Sequence, residues 1–157
     1  MKLKKHMIIA ILLIILGLFV YFKFLKTDKN TTFPSTQLNI KGQTYNIEIA
    51  KSASQLSFGL GKRQSLCDKC GMIFVFPFEG IWPFWMKDTL IPLDMIWINS
   101  DNKVVSIQTA QVEKNKPDLL LQKYSNEKPA KYVIELNADM AKKIDLIIGD
   151  TISIPNL

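Results

Sequence analysis

The stretch Met7–Phe22, MIIAILLIILGLFVYF, carries no charged side chain, and it governs how the rest of the chain can be arranged. Extended through Lys23, Phe24 and Leu25 it holds nineteen residues, a helix of roughly 28 Å that matches a bilayer core. A buried helix of a globular domain would show a polar face, and this run has none. Residues 1–6, MKLKKH, form a basic leader as in a secretory signal. The following Lys23-Phe24-Leu25-Lys26-Thr27-Asp28 offers no small-x-small cleavage site and no cysteine for lipidation. Residues 7–25 therefore read as an uncleaved transmembrane signal-anchor, with Lys23 snorkelling and Tyr21 at the interface. The signal-like layout orients the anchor N-terminus in. The expected location is the cell membrane, single-pass, with the C-terminal part extracytoplasmic.

Charge divides along the same line. The chain carries 20 Lys plus Arg against 14 Asp plus Glu, a net +6. Six lysines and one aspartate lie within the first thirty residues, leaving 14 basic against 13 acidic side chains beyond them. The outer part is close to neutral, which argues against nucleic acid as a partner and for the membrane. Residues 26–36, KTDKNTTFPST, are polar and aperiodic and read as a tether.

Residues 37–157 read as one β-rich domain. Tyr45, Ile47 and Ile49 alternate with Asn46 and Glu48, and Lys41-Gly42 supplies a hairpin turn before them. Ser52 with Gln55 makes a capping box and starts a short helix to about Leu60. Gly71–Phe76, Leu93–Asn99, Lys103–Gln111, Tyr132–Leu136 and Thr151–Ile154 read as further strands. Asn137 is placed to cap a short helix around Asp139–Lys143. Glu113–Ala130, with two prolines and four lysines, reads as a long surface loop. The expected fold is mainly β: a β-sandwich or partly closed barrel of six to seven short strands with two short helices.

The chain's one histidine, His6, precedes the membrane run. The outer domain thus lacks the imidazole of a Ser-His-Asp or Cys-His arrangement and of the common zinc sites. No glycine-rich phosphate loop opens a helix, and neither metal nor cofactor is expected. Cys67-Asp68-Lys69-Cys70 supports a local disulfide, a redox-active pair, or metal-binding or free thiols. Two thiolates alone fall short of four zinc ligands, and the pair precedes a strand rather than a helix.

The densest segment, residues 81–97, holds all three tryptophans. Lys87, Asp88, Thr89 and Asp94 sit there among Trp82, Trp85 and other large apolar groups. One reading is a pocket whose aromatic walls stack a ring while Lys87 and a carboxylate orient it. The other is core aromatics beside a turn stapled by polar side chains.

Gly59-Leu60, Gly71–Phe76, Phe84–Asp94, Tyr132–Ala138 and Ile147–Asp150 together resemble the signature of the domain of unknown function 192 family. The resemblance spans about residues 43–155. It implies a compact, mainly β domain, often behind a signal sequence or anchor, and implies no activity. Asp88 stands where Asn is common in the family, and Gly61-Lys62 where a Met-containing stretch is expected. A cysteine pair found in some members at Glu113–Tyr124 is absent, and Cys67–Cys70 is this chain's own. Glu48 and Glu135, within the matching motifs, join the ligand-binding candidates, and each equally suits the polar face of a strand.

Two classes of function follow. One is a membrane-tethered extracytoplasmic module that binds a small ligand or an envelope component at a concave site bordered by Trp82, Trp85, Lys87 and Asp94. The alternative is an enzyme, either a thiol oxidoreductase using Cys67 and Cys70 or a carboxylate-based hydrolase.

Overall fold

A computed structural model describes residues 32–157. The anchor, its basic leader and the first residues of the tether lie outside the described residues. Among the described residues no helix is long and apolar enough to cross a membrane.

Six strands form one sheet: β1 (Ser35–Ile40), β2 (Gln43–Ala50), β3 (Cys70–Gly80), β4 (Leu93–Ile98), β5 (Val104–Ala110) and β6 (Ala130–Asn137). Their spatial order is β1-β2-β3-β6-β4-β5. All neighbours are antiparallel except β2 and β3, which run parallel. A parallel pair needs a crossover, and residues 51–69 supply it, including helix α1 (Ala53–Phe58). The expected capping box is present at Ser52 and Gln55.

The mainly β expectation holds, but sandwich and barrel give way to this single open sheet. The sheet reaches core-like burial because loops and a second short helix, α2 (Met140–Lys143), cover its two faces. Every residue of β4 is buried as a result. One face carries Leu38, Ile40, Tyr45, Ile47, Ile96, Ile134 and Leu136 against α2 and the C-terminal segment. The other carries Met72, Phe74, Leu93, Met95, Trp97 and Val133 beneath the loops between strands.

Local signals explain the turns. Lys41 and Gly42 both take positive φ, 52° and 78°, as a tight hairpin requires. At Gly71 a Cβ would lie 2.6 Å from the Glu135 carbonyl oxygen, so the approach of β3 to β6 demands glycine.

Three expected elements differ. Thr151–Ile154 forms only a single bridge, Thr151 with Lys103. Strand β3 continues through Pro77 to Gly80, its register with β6 shifting after Val75, so the proline falls at an irregular stretch. Asn137 ends β6 instead of capping α2. The Asp94 carboxylate, reaching across from β4, accepts the Ala141 amide at 2.8 Å.

Tyr45 is fully buried, and its Oη has no hydrogen-bond partner. Burial accordingly raises the pKa of the phenol. Replacing Tyr45 with Phe removes an unsatisfied hydroxyl and leaves the packed ring. The Tyr45→Phe protein should be as stable as the parent or more stable by about 1 kcal/mol in urea denaturation.

Candidate functional site

Direct cross-strand partners share a face of a sheet. One row therefore crosses all six strands as Ser35, Glu48, Met72, Glu135, Met95 and Gln108. The adjoining row on one side holds Asn46, Cys70, Asn137, Leu93 and Ala110. On the other side lie Ala50, Phe74, Val133 and Trp97. Leu60, Met86 and Ile91 come down from the loops onto this same cluster. Polar groups are thus lodged in an otherwise apolar, loop-covered face.

Glu135 is the most unusual of them. It is 5% exposed, sits between Met72 and Met95, and accepts or donates no hydrogen bond among the described residues. Desolvation raises its pKa from 4.5 to about 8, so at neutral pH it is predominantly a carboxylic acid. Tyr45 Oη is the one described side-chain atom both sealed from solvent and unpartnered. The Glu135 carboxyl therefore keeps a small contact with solvent.

Glu48 lies across Met72 in the same row, two strand spacings or roughly 10 Å away. A two-carboxylate hydrolase would need both of these groups free to reach a common substrate. Yet both Glu48 oxygens are held by Arg63, Nη1 at 2.7 Å and Nη2 at 2.6 Å. A carboxylate clamped in this way is poorly placed to activate water.

The aromatic segment divides. Trp82 stacks on Phe76 with centroids 4.0 Å apart and donates its indole N–H to the Ala130 carbonyl. It is a structural ring. Trp85 is 40% exposed, with Lys123 Nζ 3.3 Å from its ring centroid and Lys87 Nζ at 5.5 Å. Lys87 pairs with Asp118, and this hydrogen bond first, then the charge, raises the lysine pKa. Thr89 Oγ1 donates to the Lys87 carbonyl at 3.2 Å. The Asp88 carbonyl accepts the Lys62 amide at 2.7 Å, with Asp88 at φ 53°. This ties the 86–89 turn to the crossover loop.

Asp94 lies on the opposite face. It accepts from Thr109 Oγ1 at 2.7 Å as well as from the Ala141 amide. Trp82, Trp85, Lys87 and Asp94 therefore do not border a common site. Asp94 borders a depression of about 380 Å³ with Thr109 and Ala141, while Asp88 and Thr89 border another, of about 340 Å³, between the 86–90 turn and the 112–121 loop; the second is the one next to the aromatic segment. Asp88, Thr89, Glu113, Lys114, Lys116 and Asp118 give it charges of both signs, and Met86, Leu90 and Leu121 give it an apolar wall.

Cys67 and Cys70 are joined by a disulfide, with Cys67 exposed and Cys70 half-buried. Asn137 donates to the carbonyls of Leu66 at 3.2 Å and Cys67 at 3.1 Å, holding the turn onto the end of β6. Sequence reasoning gives no role to Arg63, Lys123 or Asp118, and suggests for Asn137 only a helix cap in place of its hold on the disulfide turn. Arg63 alone left a signal, as the single arginine of the chain. The other three act through partners 31 to 71 positions away, or across a loop, and no local pattern marks them.

The Glu135 acid makes stability depend on pH in a definite direction. The native state keeps its proton up to about pH 8, while the unfolded chain releases it near pH 4.5. Unfolding therefore releases a proton throughout that window, and stability declines as the pH rises through it. The decline is on the order of a few kcal/mol. Urea midpoints measured at a series of pH values should show this component in the parent and not in Glu135→Gln. Parallel profiles for the two proteins would contradict the assignment.

The described domain has solved counterparts. A candidate transcription regulator from Sinorhizobium meliloti is 28% identical, with a TM-score of 0.68, and the match covers 79% of this chain and 96% of that one. A protein of unknown function from Novosphingobium aromaticivorans is 25% identical, with a TM-score of 0.65, and the match covers 78% and 85%. No curated protein matches the chain. The profile of an uncharacterised family, described as "Uncharacterized ACR", matches residues 36–154, and on that match the chain belongs to the DUF192 family.

Proposed function

We propose that this protein is a membrane-tethered extracytoplasmic binding module. Residues 7–25 anchor it, and the depression beside Asp88 and Thr89 takes a small ligand or a piece of an envelope component. The observation that carries the reading is that depression, of about 340 Å³, formed by two loops and lined by both charge signs beside apolar side chains. Such a lining suits a zwitterionic molecule with a short apolar part, such as an amino acid, a dipeptide or an amino sugar. Trp85 is exposed beside Lys87 and Lys123, and Lys87 pairs with Asp118 of that lining. The Cys67–Cys70 disulfide suits an oxidising compartment outside the cytoplasm.

Other features weigh against the alternatives. The Sinorhizobium protein's designation raises DNA binding, but 14 basic against 13 acidic side chains beyond residue 30 give no electrostatic footprint for a polyanion. The longest described helix has six residues, short for a reading helix in the major groove. A carboxylate hydrolase is disfavoured by the Arg63 clamp on Glu48.

Thermal unfolding of the full-length protein against a panel of amino acids, dipeptides and amino sugars tests the ligand reading. A binding member should raise the melting temperature of the parent. It should fail to do so for Asp88→Ala and Lys116→Ala, whose side chains line the depression. Equal shifts in parent and variants would move the site elsewhere. Carbonate extraction of membranes tests the tether. The full chain should remain in the pellet, and a chain lacking residues 1–31 should appear in the soluble fraction.

A further inference from the structure

The Cys67–Cys70 turn is held in place by bonds that do not involve sulfur. The Cys70 amide donates to the Cys67 carbonyl at 3.0 Å, and the Asn46 amide donates to the Lys69 carbonyl at 2.8 Å. Asn137 adds its two bonds to the carbonyls of Leu66 and Cys67. A disulfide closing so short a loop restrains the unfolded chain little. With the bond reduced, these contacts would still keep the two thiols side by side. Cys67 is the exposed residue of the pair, and Cys70 begins β3 on the loop-covered face.

The second observation is independent. Met72, two residues after Cys70 on the same face, is directly opposite Glu135. Cys70 and Glu135 are therefore diagonal neighbours, at a separation of about 7 Å that long side chains span. The buried carboxyl with no hydrogen-bond partner among the described residues thus shares a face, one diagonal away, with the half-buried half of the disulfide.

We propose that Cys67 and Cys70 form a thiol–disulfide exchange site for a dithiol partner, with the Glu135 carboxyl carrying the proton for Cys70. A partner thiolate attacks Cys67 Sγ, forming a mixed disulfide and breaking the Cys67–Cys70 bond. The electron pair of that bond leaves on Cys70 Sγ, which takes a proton from Glu135. The second partner thiolate attacks the partner sulfur of the mixed disulfide and expels the Cys67 thiolate, which is protonated from water. Glu135 recovers its proton from solvent. The partner dithiol is oxidised to a disulfide and this pair is reduced to two thiols; the reverse exchange runs through the same steps. This site does not depend on the ligand reading above.

Burial holds Glu135 protonated at neutral pH, ready to donate. The charged groups on its row are the Glu48–Arg63 pair across Met72; desolvation alone, with no contribution from a charged neighbour, accounts for the shift of its carboxyl.

The test uses the full-length protein in detergent and reduced glutathione as the probe, with mass-tagged alkylation of new thiols as the readout. The native disulfide should be attacked about tenfold faster than oxidised glutathione is under the same conditions. In Cys70→Ser, given oxidised glutathione instead, the Cys67 thiolate should attack it to form the Cys67–glutathione mixed disulfide and release one glutathione thiolate, faster than a model thiol does. Dividing the protein's rate by the reference rate removes the titration of the probe. That ratio should fall from about pH 6 to 9 as Glu135 loses its proton, and should be flat and lower in Glu135→Gln. Circular dichroism checks that the variant folds; if it does not, the parent's rate and the Cys67 adduct decide alone. A disulfide that reacts no faster than the reference, or only on unfolding, overturns the site. A ratio unchanged in folded Glu135→Gln overturns the role of the carboxyl.

Discussion

The last strand of the chain is the middle of the sheet. β6 lies between β3 and β4 and joins the unit β1-β2-β3 to the hairpin β4-β5. Until it is placed, neither half has a complete buried face. Residues 133–136 are buried from both sides for that reason. Their partners lie at wide sequence separation, from Gly71 opposite Leu136 to Ile98 opposite Tyr132. Such pairing closes long loops before it gains contacts, so placing the central strand carries a large loop-closure cost. It also places whatever β6 carries at the deepest point of the domain.

What it carries there is a carboxyl group. Isoleucine, leucine or methionine at position 135 would fill the space between Met72 and Met95 without desolvating an acid. The chain avoids the full penalty by keeping the group protonated, as its pKa of about 8 records. Asp94 provides the contrast. It is as deeply buried, but both oxygens are engaged, by Thr109 and by the Ala141 amide. A buried polar group with all its bonds made is explained by the fold. One with none made points to something the fold alone does not need.

Much of the architecture was legible because it is local. Period-two alternation marked β2, the Lys41-Gly42 pair marked its turn, and the Ser52–Gln55 spacing marked α1. The single sheet was not legible, because strand order depends on partners far away in sequence. The site residues misled for the same reason. Glu135 alternates with apolar neighbours as a solvent-facing residue would, and only the covering loops turn that face inward. Asp94 and Trp85 stand nine residues apart in one aromatic segment, yet the segment feeds a strand whose successive side chains point to opposite faces. Asp94 is thereby carried to the back of the sheet.

The two faces differ in how they are closed. The Asp94 face is covered by α2 and the C-terminal segment, short and continuous in sequence, with apolar contacts from Met140, Ala141, Ile144, Leu146 and Ile152. The Glu135 face is covered by the crossover after β2 and by residues from the 81–92 and 111–129 connections. Those three segments bring the disulfide turn, the Arg63–Glu48 pair, the 86–90 turn and the Lys87–Asp118 pair. Loops can change composition and position without dismantling the sheet beneath them, which is why binding and chemistry gather on them. A rigid strand thus sets one fixed acid beneath loops that supply the variable groups, while α2 and the C-terminal segment close the Asp94 face.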